Sequence, residues 1–249
     1  MAKLSAITIT KNESANIGAC LDSISFCDER IVVDCGSSDD TVKQAQERGA
    51  RVIRQEWTDF GTQKNIALSH ATGEWVFSID ADERVTPALA AQLRQAISEN
   101  KYVGYEMPRQ SNFCGRVMRH SGWYPDYVLR LFRRERGRFS DHLVHERMLV
   151  DGAVGRLTAP LIHDPMPRIE DALSKMDTYS TAGAQMIVVS GRRVWFITGI
   201  VRGMTAFLRT FIWRAGFLDG REGFLLAVLN AEGSYYRHMK AWLATRRRS

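Results

Sequence analysis

Two short apolar runs that each end on an aspartate constrain this chain more than anything else in its sequence: Arg30 to Asp34 reads R-I-V-V-D, and Glu74 to Asp80 reads E-W-V-F-S-I-D. Each is short for a helix and too continuously apolar for a strand with one wet face, so each predicts a strand covered on both sides. Ser5 to Thr10 predicts a strand before them and Arg51 to Arg54 another between them. Amphipathic segments separate these runs. Ile17, Leu21 and Ile24 recur at helical spacing after Ser14, a candidate cap. A second helix follows the turn Gly36-Ser37-Ser38-Asp39, reaches about Arg48 and is closed by Gly49. Thr62 to His70 predicts a third helix, and Thr86-Pro87 starts a fourth. Strand and helix in alternation build an α/β protein, with a mostly parallel sheet flanked by helices. Such sheets hold ligands at the carboxyl ends of their strands, where Asp34 and Asp80 fall.

After Asn100 the texture changes. Tyr102 to Pro108 and Tyr127 to Arg133 are strand-like, and an aromatic, glycine-bearing stretch from Ser111 to Asp126 separates them. Residues 168–190 predict a helix, and residues 192–249 predict amphipathic helices broken at Gly216 and Gly220. The division expected is a sheet domain over 1–165, with a first half to about 100 and a second over 101–165, then a helical C-terminal region over 166–249. A chain of 249 residues with 45% apolar content can bury that much core. Cys20, Cys27, Cys35 and Cys114 have neither C-x-x-C nor zinc spacing, so free thiols in a reducing compartment are expected, with no disulfide. The N-terminus lacks the apolar core and cleavage site of a secretory leader, which favours the cytoplasm.

Net charge is +6, and residues 192–249 carry 11 Lys/Arg against 3 Asp/Glu, or +8, which leaves −2 for residues 1–191. The basic character therefore belongs to the C-terminal region. Within it, Val194 to Trp213 is strongly apolar, yet Thr198, Arg202, Thr205 and Arg209 form a polar stripe at steps of four, three and four. A clean membrane span needs about 20 largely uncharged residues. A helix lying among lipid headgroups fits this stretch, and a core-packing helix with a solvated basic face is the alternative. No nucleic-acid motif accompanies the charge, so nucleic acid is not an expected partner.

The chemistry centres on Asp80-Ala81-Asp82-Glu83, directly after a buried strand. Residues two apart in extended chain point the same way, so two carboxylates here can share a hard divalent cation with a diphosphate. Asp34 can accept from a base or ribose, or it can cap the turn that follows it. Lys64 and Asn65, after Gln63 at the start of a helix, can meet phosphate or base, or can form a solvated helix face. His142, His145 and Glu146 spell H-x-x-H-E, but the zinc-protease helix places its histidines four apart around the glutamate, so a zinc site is not expected. His163 can complete a divalent-metal shell or play a structural part.

Four motifs occur in order: T-K-N-E (Thr10 to Glu13), V-V-D-C-G-S-S-D-D-T (Val32 to Thr41), Q-K-N (Gln63 to Asn65) and I-D-A-D-E (Ile79 to Glu83). Together they resemble glycosyltransferase family 2, over roughly residues 4–165. W-Y-P-D (Trp123 to Asp126), R-L-F-R-R (Arg130 to Arg134), V-H-E (Val144 to Glu146) and R-A-G-F-L-D-G (Arg214 to Gly220) are similar to bacterial lipopolysaccharide core glucosyltransferases. The resemblance implies a GT-A (Rossmann-like) fold and an inverting, metal-dependent transferase using Mn²⁺ or Mg²⁺. It implies a UDP-hexose donor, glucose or a related sugar, and a lipopolysaccharide core or other lipid-linked glycan acceptor. With the basic C-terminal region, this leads to an expected place at the cytoplasmic face of the inner membrane. By position, Thr10 and Glu13 would line the nucleoside pocket, Asp34 would contact the base, and Lys64 would sit near base or phosphate. Asp80 would reach ribose or metal, and Asp82 would bind metal, with His163 a further candidate. Glu146 would be the general base, its pKa raised by Trp123, Phe139 and His142, with Asp126 as rival. Cys35 stands where the family usually has Ser or Asn.

Two other functions fit the composition less well. A sugar nucleotidyltransferase needs a glycine-rich, arginine-bearing loop after its first strand, where this chain has Thr10-Lys11-Asn12-Glu13. A non-catalytic membrane- or nucleic-acid-binding module acting through residues 192–249 leaves the carboxylate-ended strands without a purpose.

Overall fold

The computed structural model describes residues 2–140 and 147–246. The chain forms two compact units, Met1–Arg109 with Asp126–His163, and Gln110–Pro125 with Asp164–Ser249.

The first unit opens with the alternation expected: β1 (Leu4–Thr10), α1 (Ile17–Ser23), β2 (Glu29–Asp34), α2 (Thr41–Glu47), β3 (Arg51–Arg54), α3 (Phe60–Ser69) and β4 (Trp75–Ser78). A short β5 (Glu83–Val85) and α4 (Pro87–Glu99) follow, then β6 (Gly104–Phe113), β7 (Arg116–Val117) and β8 (Asp126–Arg133). The small strands β9 (Gly137–Phe139), β10 (Met148–Val150) and β11 (Val154–Arg156) precede β12 (Leu161–Met166). The main sheet runs β3-β2-β1-β4-β8-β6-β12-β5, with β7 and β11 attached to β6, while β9 and β10 pair with each other. Its first four strands are parallel, and β8 enters antiparallel to both β4 and β6, so the sheet is mixed.

The uninterrupted apolar runs have a simple cause. Along β1, β2 and β4, Ala6, Val32, Trp75 and Phe77 enter one apolar layer, while Ile7, Ile31, Val33 and Val76 enter another. Both faces of the sheet are dry, so neither parity along the strands can be polar. The parallel register sets Thr10 opposite Asp34, which brings those two strand ends to one edge.

The helices follow their signals, with two corrections. Thr86 caps α4, its Oγ1 accepting from the Leu89 amide at 3.1 Å, and Pro87 takes the first helical position. Ser14, however, does not cap α1. The chain first turns on the Glu13 carbonyl, which accepts from the amides of Asn16 and Ile17, and the helix starts at Ile17. The third helix starts at Phe60 instead of Thr62, because Asp59 is its cap and accepts from the Thr62 amide at 2.9 Å. Lys64 therefore sits in the second turn of α3. Both Gln63 and Lys64 are buried, at 0% and 5% exposure, which rules out the solvated helix face.

In the second unit, the end of β6 pairs with β7, Asn112 opposite Val117, and three helices follow: α5 (Ile169–Val189), α6 (Phe196–Leu208) and α7 (Gly220–Arg246). The long α7 packs on both α5 and α6. A π turn over Arg209–Trp213 and a 3₁₀ turn over Gly216–Asp219 join α6 to α7. Residues 110–125, read from sequence as part of the sheet domain, cluster instead with the C-terminal helices. The buried carboxylate of Asp219 accounts for this. It accepts from the Arg119 amide at 3.0 Å, from the His120 amide and from the Ser121 hydroxyl at 2.8 Å, so it fixes that segment. Phe113, Met118, Ala172, Leu226 and Leu229 form the unit's apolar centre. Among the described residues no helix is long and apolar enough to cross a membrane.

Candidate active site

Just past β4 lies a group of charges in which Lys64, Glu83 and Arg130 are buried while the Asp80 side chain keeps 31% of its surface exposed. Asp80 receives Lys64 of α3 on Oδ1 at 3.1 Å and Arg130 of β8 on Oδ2 at 2.5 Å. The same Arg130 nitrogen reaches Glu83 Oε1 at 2.6 Å, and the other Glu83 oxygen accepts from the Asp80 amide at 3.0 Å. Arg109, at the far end of the first unit's part of β6, lies 3.7 Å from Glu83. Glu83 is fully buried and Arg130 is 7% exposed. Charges at such depth persist only when paired. Burial by itself would raise the Asp80 carboxyl, but Arg130 and Lys64 outweigh it and hold Asp80 far below the usual carboxylate range. For Glu83 the balance reverses: burial and the neighbouring Asp80 push its carboxyl up despite Arg130.

Arg130 reaches this position through a β-bulge. Tyr105 and Glu106 are consecutive on β6, yet they face Leu131 and Leu129 of β8, so Arg130 is the extra residue between them. The bulge shifts the parity of the strand. Val128 and Leu131 pack against one apolar layer and Leu129 and Phe132 against the other, while Arg130 is aimed at the carboxylates. The sequence reading assigned no role to Arg130 or Glu83. The available signal was an arginine inside the apolar run Y-V-L-R-L-F-R, which a buried strand tolerates only with a partner.

Asp34 performs the turn-capping role. Its Oδ2 accepts from the amides of Gly36 at 3.1 Å and Ser37 at 3.0 Å, and its Oδ1 accepts from the hydroxyls of Ser37 and, at 3.4 Å, Thr10. Gly36 sits at φ +86°, a conformation that L side chains rarely adopt, which explains a glycine there. The turn is tied to the T-K-N-E segment. Asn12 donates its amide to the Ser37 hydroxyl at 2.8 Å, and the Glu13 amide donates to Thr41 Oγ1 at 2.8 Å. Glu13 also accepts from Asn16 Nδ2 at 2.8 Å. Thr10, Glu13 and Asp34 are thus brought together on the ends of β1 and β2 by a single hydrogen-bonded loop pair.

Asp82 and His163 are the pair suited to a divalent cation. Antiparallel pairing sets His163 of β12 opposite Glu83, so its imidazole Nε2 comes within 3.5 Å of Asp82 Oδ2. Both side chains are partly exposed, at 22% for Asp82 and 14% for His163. One carboxylate oxygen and one imidazole nitrogen at this separation can share a single cation as adjacent ligands, a donor set that suits Mn²⁺. Among the described residues no group of three or more His, Cys, Asp and Glu is arranged to hold a metal, so remaining positions would fall to substrate or water oxygens. Asp80, a candidate for the same shell, has both carboxylate oxygens engaged by cationic side chains.

Asp126, at the start of β8, gives its Oδ2 to Arg109, which donates from Nε at 2.9 Å and Nη2 at 2.6 Å. Glu146, His142 and His145 lie outside the described residues. Phe139, expected near Glu146, has Lys64 Nζ 5.8 Å from its ring centre. Cys20 donates its thiol to the Asp80 carbonyl at 3.5 Å, and burial pushes that thiol well above its ordinary range, which disfavours the thiolate.

A family model described as glycosyl transferase family 2 matches residues 5–154. The chain is 33% identical to lipopolysaccharide core biosynthesis glycosyltransferase LpsC of Rhizobium meliloti (strain 1021), over 94% of this chain and 93% of that protein. It is 28% identical to the uncharacterized glycosyltransferase RP128 of Rickettsia prowazekii (strain Madrid E), over 96% of this chain and 87% of that protein. Among solved structures, S. aureus TarS 1-349 aligns over 99% of this chain and 92% of that one, at 15% identity and a TM-score of 0.47, too distant to bear on substrate.

Proposed function

Because the chain belongs to glycosyltransferase family 2, we propose that it is an inverting, metal-dependent transferase that moves a hexose, glucose or a related sugar, from a UDP-sugar to a lipid-linked glycan such as a lipopolysaccharide core. The observation that carries this reading is the ion-paired group of Lys64, Asp80, Arg130 and Glu83 beside the Asp82 and His163 pair. With the carboxylates of Asp80 and Glu83 already paired to Lys64 and Arg130, a diphosphate would be met here through a cation held by Asp82 and His163. The acceptor class is supported by the similarity to LpsC, whose name places it in lipopolysaccharide core biosynthesis.

In this reading Thr10, Glu13 and Asp34 line the nucleoside pocket, and Lys64 lies beside the diphosphate. Asp80 holds Lys64 and Arg130 in place and meets the ribose. Asp82 and His163 hold the cation. A bound Mn²⁺ or Mg²⁺ supplies positive charge to the departing nucleoside diphosphate. Glu146 takes the proton of the acceptor hydroxyl as its oxygen bonds to the anomeric carbon from the face opposite the leaving diphosphate, which inverts configuration there. Asp126, whose Oδ2 accepts twice from Arg109, is the second candidate for that proton. Work on a lipid-linked acceptor places the enzyme at the cytoplasmic face of the inner membrane.

The test is turnover of UDP-glucose with a lipid-linked core acceptor, read as UDP released and as the anomeric configuration of the new linkage. Glu146→Gln is expected to bind UDP as the wild type does and to release less than about one part in a hundred of its UDP. Wild-type turnover in Glu146→Gln together with loss in Asp126→Asn would transfer the base role to Asp126. A retained configuration in the product would overturn the single-displacement mechanism.

A further inference from the structure

The helix α6 is built the wrong way round for a helix whose surroundings are all protein and water. Its small residues face inward: Gly199, Gly203, Ala206 and, in the π turn that continues it, Thr210 are buried. They let α7 approach closely. A side chain added at Gly203 would stand 3.3 Å from the Ala231 carbonyl and the Tyr235 Cβ, and one at Gly199 would meet Met239. The large apolar residues face outward, with exposures of 60% at Ile197, 50% at Val201, 61% at Met204, 50% at Leu208 and 56% at Ile212. Their spacing of four, three, four and four keeps them in one stripe along the helix. The tryptophans at its two ends are exposed still further, Trp195 at 68% and Trp213 at 87%.

Next to this stripe runs the polar one, with Arg202 and Arg209 both exposed. From Arg192 to Arg221 the chain carries six arginines and one acidic residue, Asp219, which is buried on the backbone of Arg119 and His120. An apolar stripe with an arginine margin and tryptophans at both ends matches one environment in each part: acyl chains for the stripe, lipid phosphates for the guanidinium groups, and the headgroup level for the indoles. A second copy of the chain fits poorly, because a two-fold contact would bring these arginines against their own equivalents.

We propose that α6 and the π turn after it lie in the surface of an anionic bilayer, with Ile197, Val201, Met204, Leu208 and Ile212 in the acyl boundary and Arg202 and Arg209 on lipid phosphates. The proposal names the membrane-binding face and does not rest on the transferase reading, since Asp80, Asp82 and His163 belong to the other compact unit.

The test is flotation of the full chain with vesicles containing phosphatidylglycerol and with vesicles of phosphatidylcholine alone. The wild type is expected to float with the anionic vesicles. Val201→Glu/Met204→Glu/Leu208→Glu should lower its partition at least about tenfold, and Arg202→Gln/Arg209→Gln should remove the preference for phosphatidylglycerol by about tenfold or more. Both variants alter exposed side chains, so helical circular dichroism and a melting temperature at wild-type levels are the check that each is folded. Absence of wild-type flotation, or equal flotation of the glutamate variant, overturns the proposal. So does a wild-type dimer in light scattering that the glutamate variant converts to a monomer, because a second copy would then occupy the stripe.

Discussion

Replacing Arg130 with methionine isolates what the buried charge group contributes. Methionine keeps much of the length and packing of the arginine stem but leaves Glu83, fully buried, with the more distant Arg109 at 3.7 Å, and leaves Asp80 with Lys64 at 3.1 Å. Removing one member of a buried ion pair costs about 3–5 kcal/mol. The surviving cations put Arg130→Met near the lower end, about 3 kcal/mol. For a chain of this size that is a fall of about 6–12 °C in melting temperature. Adding Glu83→Gln should recover about half the loss, since the amide oxygen can still accept from the Asp80 amide while the stranded charge is gone. The pH dependence has a definite sign. Burial holds the Glu83 carboxyl above its unfolded value, so the folded state binds the extra proton and stability rises as pH falls through the folded pKa. Without Arg130 that proton is taken up more readily, so the deficit of Arg130→Met should be smaller at pH 5 than at pH 8. Thermal melting and guanidinium unfolding at both pH values measure it. A loss under about 1 kcal/mol, or the same loss at both pH values and in the double variant, would refute the reasoning.

Two further perturbations follow from the same geometry. Arg130 and Lys64 hold the Asp80 carboxyl far below its unfolded value, so its stabilisation is complete above that value, about 3.9, and is lost as pH falls below it. Asp80→Asn should therefore be less stable than the wild type at both pH 8 and pH 5, with the margin narrowing below about pH 4 in urea unfolding. At Gly223 an added Cβ would lie 1.9 Å from the Gly216 carbonyl oxygen, so Gly223→Ala must displace backbone. It should cost more than about 2 kcal/mol in chemical unfolding, far beyond an ordinary Gly-to-Ala change in a helix.

The parts of the molecule legible in sequence are those whose cause is local. The strands ending at Asp34 and Asp80 could be read because a dry two-faced strand leaves a continuous apolar run, and α4 because Thr86-Pro87 is a start signal in itself. Asp34 could be placed beside its turn for the same reason. Lys64 was harder: Asp59, three residues before Thr62, sets the start of α3, and burial of the lysine depends on β9, over seventy residues away. Arg130 and Glu83 depend on pairing between distant strands and on a bulge that period-two reading cannot see. The polar stripe of α6 was visible as a spacing, but the outward turn of its large apolar residues follows from close packing of Gly199 and Gly203 on α7.

The most direct test of the central claim is calorimetric titration of the chain with UDP and with GDP, each with and without Mn²⁺. The account predicts binding of UDP in preference to GDP, dependent on Mn²⁺, and weakened at least about tenfold in Asp82→Ala, whose removed carboxylate is a proposed ligand of the cation. Binding of neither nucleotide, or UDP binding that ignores both the cation and the loss of Asp82, would contradict it.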